Sequence, residues 1–348
     1  MDGGRFGIFT EEQLQSIIDN KSSLNTKAVV KTAINILKTY LTERDLGNID
    51  DLVNVTPEEL NQCLRKFYAE LRKVDGTKYA RKSMVTIRYG LQQHFLKVRS
   101  EDIINDDRYS TSGEMFKAVL VQLKKTGVGE TKSKEPIVIE DMEKLYASDA
   151  FSVDTPEGLQ NKTLFEYLYY FCNRGRENLR EVQKSDFTIS VDPSNREYVS
   201  VINKQTKNHR GDDIHNKDHK QGRMYDRPGD PRCPVTSFKK YLSKLHPSNP
   251  NFWQRPKRKY SYDEDTWYEN SALGKNTLYS FMSCVSEEYT LSKRYTNHCV
   301  RATSITVLDH KGVEARHIIG VTGHKSETSI IQFSLERGQK ASNVRHSK

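Results

Sequence analysis

The chain has 348 residues, with 55 lysines and arginines against 46 aspartates and glutamates, for a formal net charge of +9 at pH 7. That length exceeds what one core usually serves, so two domains are expected, and the positive balance suits a polyanionic partner, nucleic acid first. Hydrophobic residues are 35% of the chain, no apolar run nears the ~18 residues of a membrane span and the N-terminus shows no signal-peptide pattern, so an intracellular protein without membrane association is expected.

Residues 6–128 read as a helical unit. Thr10-Glu11-Glu12-Gln13 has the form of a capping box, with Leu14, Ile17 and Ile18 following at helical spacing. Lys27 to Leu41 repeats the pattern with Val30, Ile34 and Leu37 on one stripe. Thr56-Pro57-Glu58-Glu59 is a stronger start, because Thr caps, Pro takes the first helical position and Glu59 closes the box; Leu60, Leu64, Phe67 and Leu71 are the face to be buried. Between Thr77 and Val98 a fourth helix carries Arg81, Lys82 and Arg88 beside Tyr79 and Tyr89. Cations and aromatic planes together suit phosphates and bases, and equally a solvated basic face. Phe116, Val119 and Leu123 mark a fifth helix, and the polar, glycine-bearing stretch that follows offers residues 129–136 as an interdomain linker.

The remainder, 137–348, reads as a mixed unit. Ile139 to Tyr146 is a short helix, and Thr155-Pro156-Glu157 opens another through Leu164, Leu168 and Phe171 into Asn173-Arg174-Gly175-Arg176-Glu177. Phe187 to Val191 and Glu197 to Ile202 alternate around Asp192-Pro193-Ser194-Asn195 and predict a hairpin. His209 to Pro234 reads as a long polar loop in which His209, His215 and His219 have no thiol at ligand spacing, so no metal is expected. Val235 to Leu245 returns to helix, and Phe252-Trp253-Gln254-Arg255-Pro256-Lys257-Arg258-Lys259-Tyr260 interleaves aromatics with cations as a phosphate-tracking patch or a basic surface loop. Asn276 to Tyr289 is a helix with Leu278, Phe281 and Val285 inward. Five scattered cysteines, with no C-x-x-C pair, read as core thiols rather than as a disulfide framework.

The densest chemistry lies in Tyr295 to Phe333. Thr296 or Asn297 can cap a helix on which His298 and Arg301, three residues apart, share a face, with Ile305 and Leu308 anchoring it and Asp309 to Gly312 stopping it. A second helix from Val313 runs into Gly320-Val321-Thr322-Gly323-His324. Two imidazoles and a guanidinium converging on one spot suit an oxyanion such as a phosphodiester.

His298-x-x-Arg301, then Gly323-His324 about two dozen residues on, then an aromatic nine positions further, resembles the C-terminal signature of the tyrosine recombinase family. In that family the aromatic is the tyrosine that attacks DNA; here it is Phe333. The step from Arg174 to Glu177 matches the family's first catalytic arginine, with Arg176 the competing assignment because Asp186 sits one residue off the usual register. The family's catalytic lysine follows such a hairpin, which makes Lys204 or Lys207 the candidate. The Arg-Gly-Arg-Glu form and the long polar loop look most like eukaryotic Crypton transposases and host genes derived from them.

The resemblance implies a mostly α fold with a small antiparallel sheet: a helical N-terminal core-binding domain that clamps DNA, then a mixed α/β catalytic domain. It implies cleavage of one strand through a 3′-phosphotyrosyl link, without metal, nucleotide or other cofactor, by a dimer or tetramer assembled on double-stranded DNA in the nucleus. Arg174, Arg301 and His324 would neutralise the non-bridging oxygens, Lys204 would protonate the 5′-hydroxyl, and His298 would assist proton transfer. Arg81, Lys82, Arg88, Arg255, Lys257, Arg258 and Lys259 are the candidate DNA contacts. Phenylalanine has no oxygen to attack phosphorus, so the chain as written cannot form the covalent intermediate. Phe333 fits an engineered trap, a natural loss in a domesticated DNA-binding protein, or a basic helical adaptor that was never an enzyme.

Overall fold

Capping signals written in the sequence set where the helices begin. The structure, a computed structural model, describes residues 7–20, 23–127, 134–202, 222–324, 326–328 and 330. It divides into two units, Met1–Lys132 and Ser133–Lys348.

In the first unit α1 (Glu11–Asn20) starts at a closed box, Thr10 N donating to Gln13 Oε1 at 2.9 Å and Gln13 N to Thr10 Oγ1 at 3.3 Å. α2 (Leu24–Glu43) is capped by Ser23 Oγ, which accepts from Thr26 N at 3.1 Å. α3 (Pro57–Glu70) opens on Thr56, whose N–H donates to Glu59 Oε2 at 2.8 Å. α4 (Arg81–Arg99) and α5 (Ser110–Lys125) complete the bundle. Leu37, Leu41, Leu60, Leu64, Phe67, Leu91 and Phe95 are fully buried at its centre, each worth about 1.5–3 kcal/mol on removal from water.

Leu14, Ile17 and Ile18 are 41%, 58% and 63% exposed, so the apolar residues of α1 do not join the core. One expectation fails in this unit. Arg88 is only 8% exposed, its guanidinium carbon 4.7 Å from the Phe116 ring centre and 5.9 Å from that of Tyr68. Position 88 falls on the stripe of Met84, Leu91 and Phe95 that faces the core, so Arg88 stabilises the bundle over two rings and is withdrawn as a DNA contact. Arg81, Lys82 and Tyr89 do face solvent.

The second unit begins with α6 (Ile139–Ala147) and α7 (Pro156–Tyr170). β1 (Phe187–Val191) and β2 (Glu197–Val201) form the predicted hairpin, in register Phe187↔Val201 to Val191↔Glu197, with Asn195 in the left-handed region of its turn. β3 (Met224–Tyr225) adds an unforeseen third antiparallel strand inside the stretch expected to be loop. α8 (Pro234–Lys244) follows, then an antiparallel ribbon of β4 (Gln254–Pro256) and β5 (Tyr268–Ala272), also unforeseen because β4 is three residues long and the Tyr-Glu-Asn-Ser-Ala of β5 lacks apolar alternation. α9 (Lys275–Glu288), α10 (Asn297–His310) and α11 (Ala315–Thr322) close the unit. The mostly α architecture with a small antiparallel sheet is the one expected.

Phe252 and Trp253 are 0% and 1% exposed and pack with Tyr241, Tyr167 and Phe187, so the interleaved aromatics before β4 are core and not part of a phosphate-tracking patch. Their cationic neighbours stay outside: Arg255, Arg258 and Lys259 are exposed, while Lys257 pairs with Glu264 at 3.0 Å. Cys172, Cys233 and Cys299 are core thiols, Cys63 is half-buried, and Cys284 is exposed, against expectation. Among the described residues no helix is long and apolar enough to cross a membrane, and no group of His, Cys, Asp and Glu is placed to hold a metal; His209, His215 and His219 lie outside the described residues.

Candidate phosphate-binding site

The site is assembled where the end of α7 meets the first turns of α10. After α7 the chain turns sharply at Cys172, whose φ of +49° is in the left-handed region, and forms a turn in which Glu177 N–H donates to the Arg174 carbonyl at 3.2 Å. Asn297, 1% exposed at the start of α10, ties this turn down. Its Nδ2 donates to the carbonyls of Gly175 (2.9 Å) and Leu278 (2.8 Å), while its Oδ1 accepts from Met282 N–H (2.9 Å). A Cβ at position 175 would lie 2.5 Å from Asn297 Cβ and 2.9 Å from the His298 nitrogen, so only glycine lets the arginine turn come this close.

Arg301, one turn further along α10, is 9% exposed. One end of its guanidinium donates to the Cys172 carbonyl; the other donates to the Thr322 carbonyl at 2.5 Å and lies 3.3 Å from His324 Nδ1. α11 ends at Gly323, in the left-handed region with φ +66°, and the chain emerges with His324 directed at Arg301, Thr322 Oγ1 being 2.7 Å from its Nδ1. Arg174 joins the same group and pairs with Glu177 at 2.5 Å.

The electrostatics report crowding of positive charge. Burial, then Arg174, pushes Arg301 down to about 10, and burial with Arg301 and Arg174 pushes His324 down to about 4. His298 is lowered by burial and then by Arg176, which stands 6.0 Å over the Tyr279 ring of α9. Of the expected site residues, Arg174, Arg301 and His324 act on one another directly, with His298 beside them and Arg176 on the His298 side. Lys204, Lys207 and Phe333 lie outside the described residues. Burial first and mutual repulsion second disfavour further protons here, with Glu177 the carboxylate beside Arg174, and a partly buried group of this charge is suited to an oxyanion.

Sequence reasoning missed Asn297 as more than a cap, and missed the carbonyls of Cys172 and Thr322 altogether. A backbone carbonyl leaves no mark on composition or spacing. Gly175 between two arginines was the one available signal.

Residues 137–287 match the family model described as a domain of unknown function (DUF3504), and residues 23–123 match the QRICH1 domain. Among curated proteins the chain is 21% identical over 293 residues to the uncharacterized protein KIAA1958 homolog of Mus musculus, covering 79% of this chain and 39% of the relative. It is 25% identical over 256 residues to zinc finger MYM-type protein 2 of Homo sapiens, covering 66% and 18%. The chain thus spans less than half of the length of these relatives. Among solved structures it is similar to the XerH site-specific recombinase bound to a palindromic difH substrate, with TM-score 0.55 at 15% identity over 97% of this chain and 85% of that one. It is also similar to the Tn1549 transposon integrase in complex with transposon right end DNA, with TM-score 0.51 at 13% identity over 92% of each. The fold resembles that of the tyrosine recombinases.

Proposed function

We propose that this chain binds duplex DNA and seats one phosphodiester in the cage of Arg174, Arg301, His298 and His324, as a recombinase or transposase whose nucleophile position is occupied by Phe333. The observation that carries this reading is the cluster itself: a guanidinium held at both ends by carbonyls, with a second arginine and a neutral imidazole beside it. That group is preorganised before any substrate arrives, which is what a charged transition state needs. Arg174 and Arg301 would take the non-bridging oxygens, His324 would donate to the same oxygens, and Lys204 or Lys207 would protonate the leaving 5′-hydroxyl. Without an oxygen at 333 the chain binds and does not cleave. DNA in the two similar recombinase structures supports the partner; a dimer or tetramer on DNA in the nucleus belongs to the same proposal.

A second reading is favoured by the similarity to long animal proteins such as zinc finger MYM-type protein 2: a domesticated, catalytically inactive DNA-binding module. Phe333→Tyr separates the two. It adds one hydroxyl at almost no cost in volume, and the cage would stabilise both phenolate and phosphorane charge. The recombinase reading expects a covalent protein–DNA adduct that forms in chelator, survives boiling detergent and is absent with Phe333. Good duplex binding by the tyrosine form with no adduct, even on nicked suicide substrates, would leave the domesticated reading standing.

A further inference from the structure

The outer face of the three-stranded sheet carries a ladder that the cage does not use. Tyr198 and Tyr225 are directly paired across β2 and β3, their ring centres 5.4 Å apart, while Val199 and Met224 point the other way into the core. Arg223 lies over the Tyr198 ring at 4.5 Å and Arg196 over the Tyr225 ring at 4.7 Å, so each tyrosine is covered by the arginine of the opposite strand. Both arginines are exposed and both tyrosines half-buried. Asp192 holds one edge of Arg196, accepting from Nε at 3.0 Å with Nη2 at 2.9 Å, and Glu197 pairs with Lys239 at 2.5 Å, so Arg223 is the arginine this face offers. Arg223 Nη1 also donates to Tyr225 Oη at 3.4 Å.

This ladder is continuous with the site. Gly222, immediately before Arg223, presses on the end of α7, where a Cβ would lie 2.3 Å from the Tyr170 carbonyl and 3.4 Å from Phe171 Cα. Two residues beyond Tyr170 is Cys172, whose carbonyl holds Arg301, and two beyond that is Arg174. Arg227, on the same strand exit, donates to Tyr170 Oη at 2.5 Å. The strand that follows Arg223 is therefore fastened to the end of α7, from which Cys172 and Arg174 continue into the cage.

We infer that Arg223, set on the Tyr198–Tyr225 pair of this ladder, binds a phosphate flanking the phosphodiester held in the cage. The chemistry selects phosphate over base. Each tyrosine carries a guanidinium over one ring face, and Arg223 is exposed beside the pair, where its N–H groups can bind an oxyanion. The Tyr198 ring beneath Arg223 restrains it, so less side-chain freedom is lost when a phosphate arrives.

The inference rests on the DNA-binding reading above, and the experiment separates the two. Duplex affinity of the full chain is measured by fluorescence anisotropy between about 50 and 200 mM salt, for the unaltered protein, Arg223→Ala, Arg223→Lys, and Arg196→Ala with Arg223→Ala. Loss of one phosphate contact lowers the slope of log affinity against log salt by about 0.9, so Arg223→Ala should lower it by about that much and the double variant by at least as much. Arg223→Lys should keep the slope, because its charge remains, while losing part of the affinity that the stacked plane provides. All three changes are on the surface and leave the core intact. If the unaltered protein shows no salt-dependent duplex binding, the DNA-binding reading falls and the ladder with it. If it binds and the double variant keeps the same slope, Arg223 alone is overturned as a phosphate contact, and a protein partner for this face takes its place.

Discussion

Gly175 and Asn297 are 122 residues apart in sequence and in direct contact, the Asn297 side chain donating to the Gly175 carbonyl at 2.9 Å in the space a Cβ would need. Through this contact the arginine turn after α7 is held against the helix that carries His298 and Arg301. Gly175→Ala should force the two segments apart at a cost of about 1–3 kcal/mol. Asn297→Ala should cost about 1–3 kcal/mol, because it removes the buried amide that bonds Gly175, Leu278 and Met282. Urea unfolding reads both, and losses below about 0.5 kcal/mol would show that the turn has freedom to relax.

Arg301 serves the fold as well as the site. Arg301→Ala strands the Cys172 and Thr322 carbonyls and should lower stability by about 2–4 kcal/mol, so it is a poor probe of chemistry. Arg301→Lys keeps the charge and cannot reach both carbonyls and a phosphate. In the Phe333→Tyr background it should leave duplex binding within a few-fold and reduce adduct formation about a hundredfold. An adduct formed at the parental rate would remove Arg301 from the site.

His324 makes the molecule sensitive to acid. It is held down to about 4 from an ordinary 6.5. As pH falls, the unfolded chain takes up this proton first, so the contribution to stability is complete above about 6.5 and is lost on the way down to 4. Binding an oxyanion has the opposite effect, since phosphate favours the imidazolium, and binding therefore takes up a proton. Duplex affinity at constant ionic strength should rise as pH is lowered from about 7.5 to 5.5, and His324→Gln should flatten that rise. Identical pH profiles for the two proteins would mean that His324 does not face the phosphate.

On α7, Lys162 and Glu166 form an ion pair in the core. Lys162 Nζ donates to Glu166 Oε1 at 2.6 Å and to Ser237 Oγ at 2.7 Å, and Ser237 Oγ donates to Glu166 Oε2 at 3.0 Å. Burial raises the Glu166 carboxyl, with Lys162 opposing it. Lys162→Met alone should cost about 3–5 kcal/mol by leaving a buried carboxylate uncompensated, and combining it with Glu166→Leu should recover most of the loss. Thermal or urea unfolding of the single and double variants decides this; equal losses would assign the cost to packing instead of charge.

What the sequence determined by itself was local. Thr56 with Glu59, Thr155 with Pro156, and the stripe Leu60, Leu64, Phe67 locate helices because caps and side-chain stripes act over three or four residues. His298 and Arg301 were legible as a pair for the same reason, being one helical turn apart. The hairpin of β1 and β2 was legible from its turn, whereas β3 and β4 were not, being two and three residues long, nor β5, whose Tyr-Glu-Asn-Ser-Ala has no apolar alternation.

Tertiary structure alone decided which charges are inside. Arg88 looks like Arg81 in the sequence, yet one is stacked over Phe116 in the bundle and the other faces solvent. Trp253 and Arg255 are two residues apart, and one is core while the other is surface. The cage was decided the same way. Its members come from the end of α7, the start of α10 and the end of α11, and they are brought together by one buried amide and two backbone carbonyls that no residue pattern announces. Backbone groups are identical at every position, so which of them will hold an arginine follows only from where the chain has already folded.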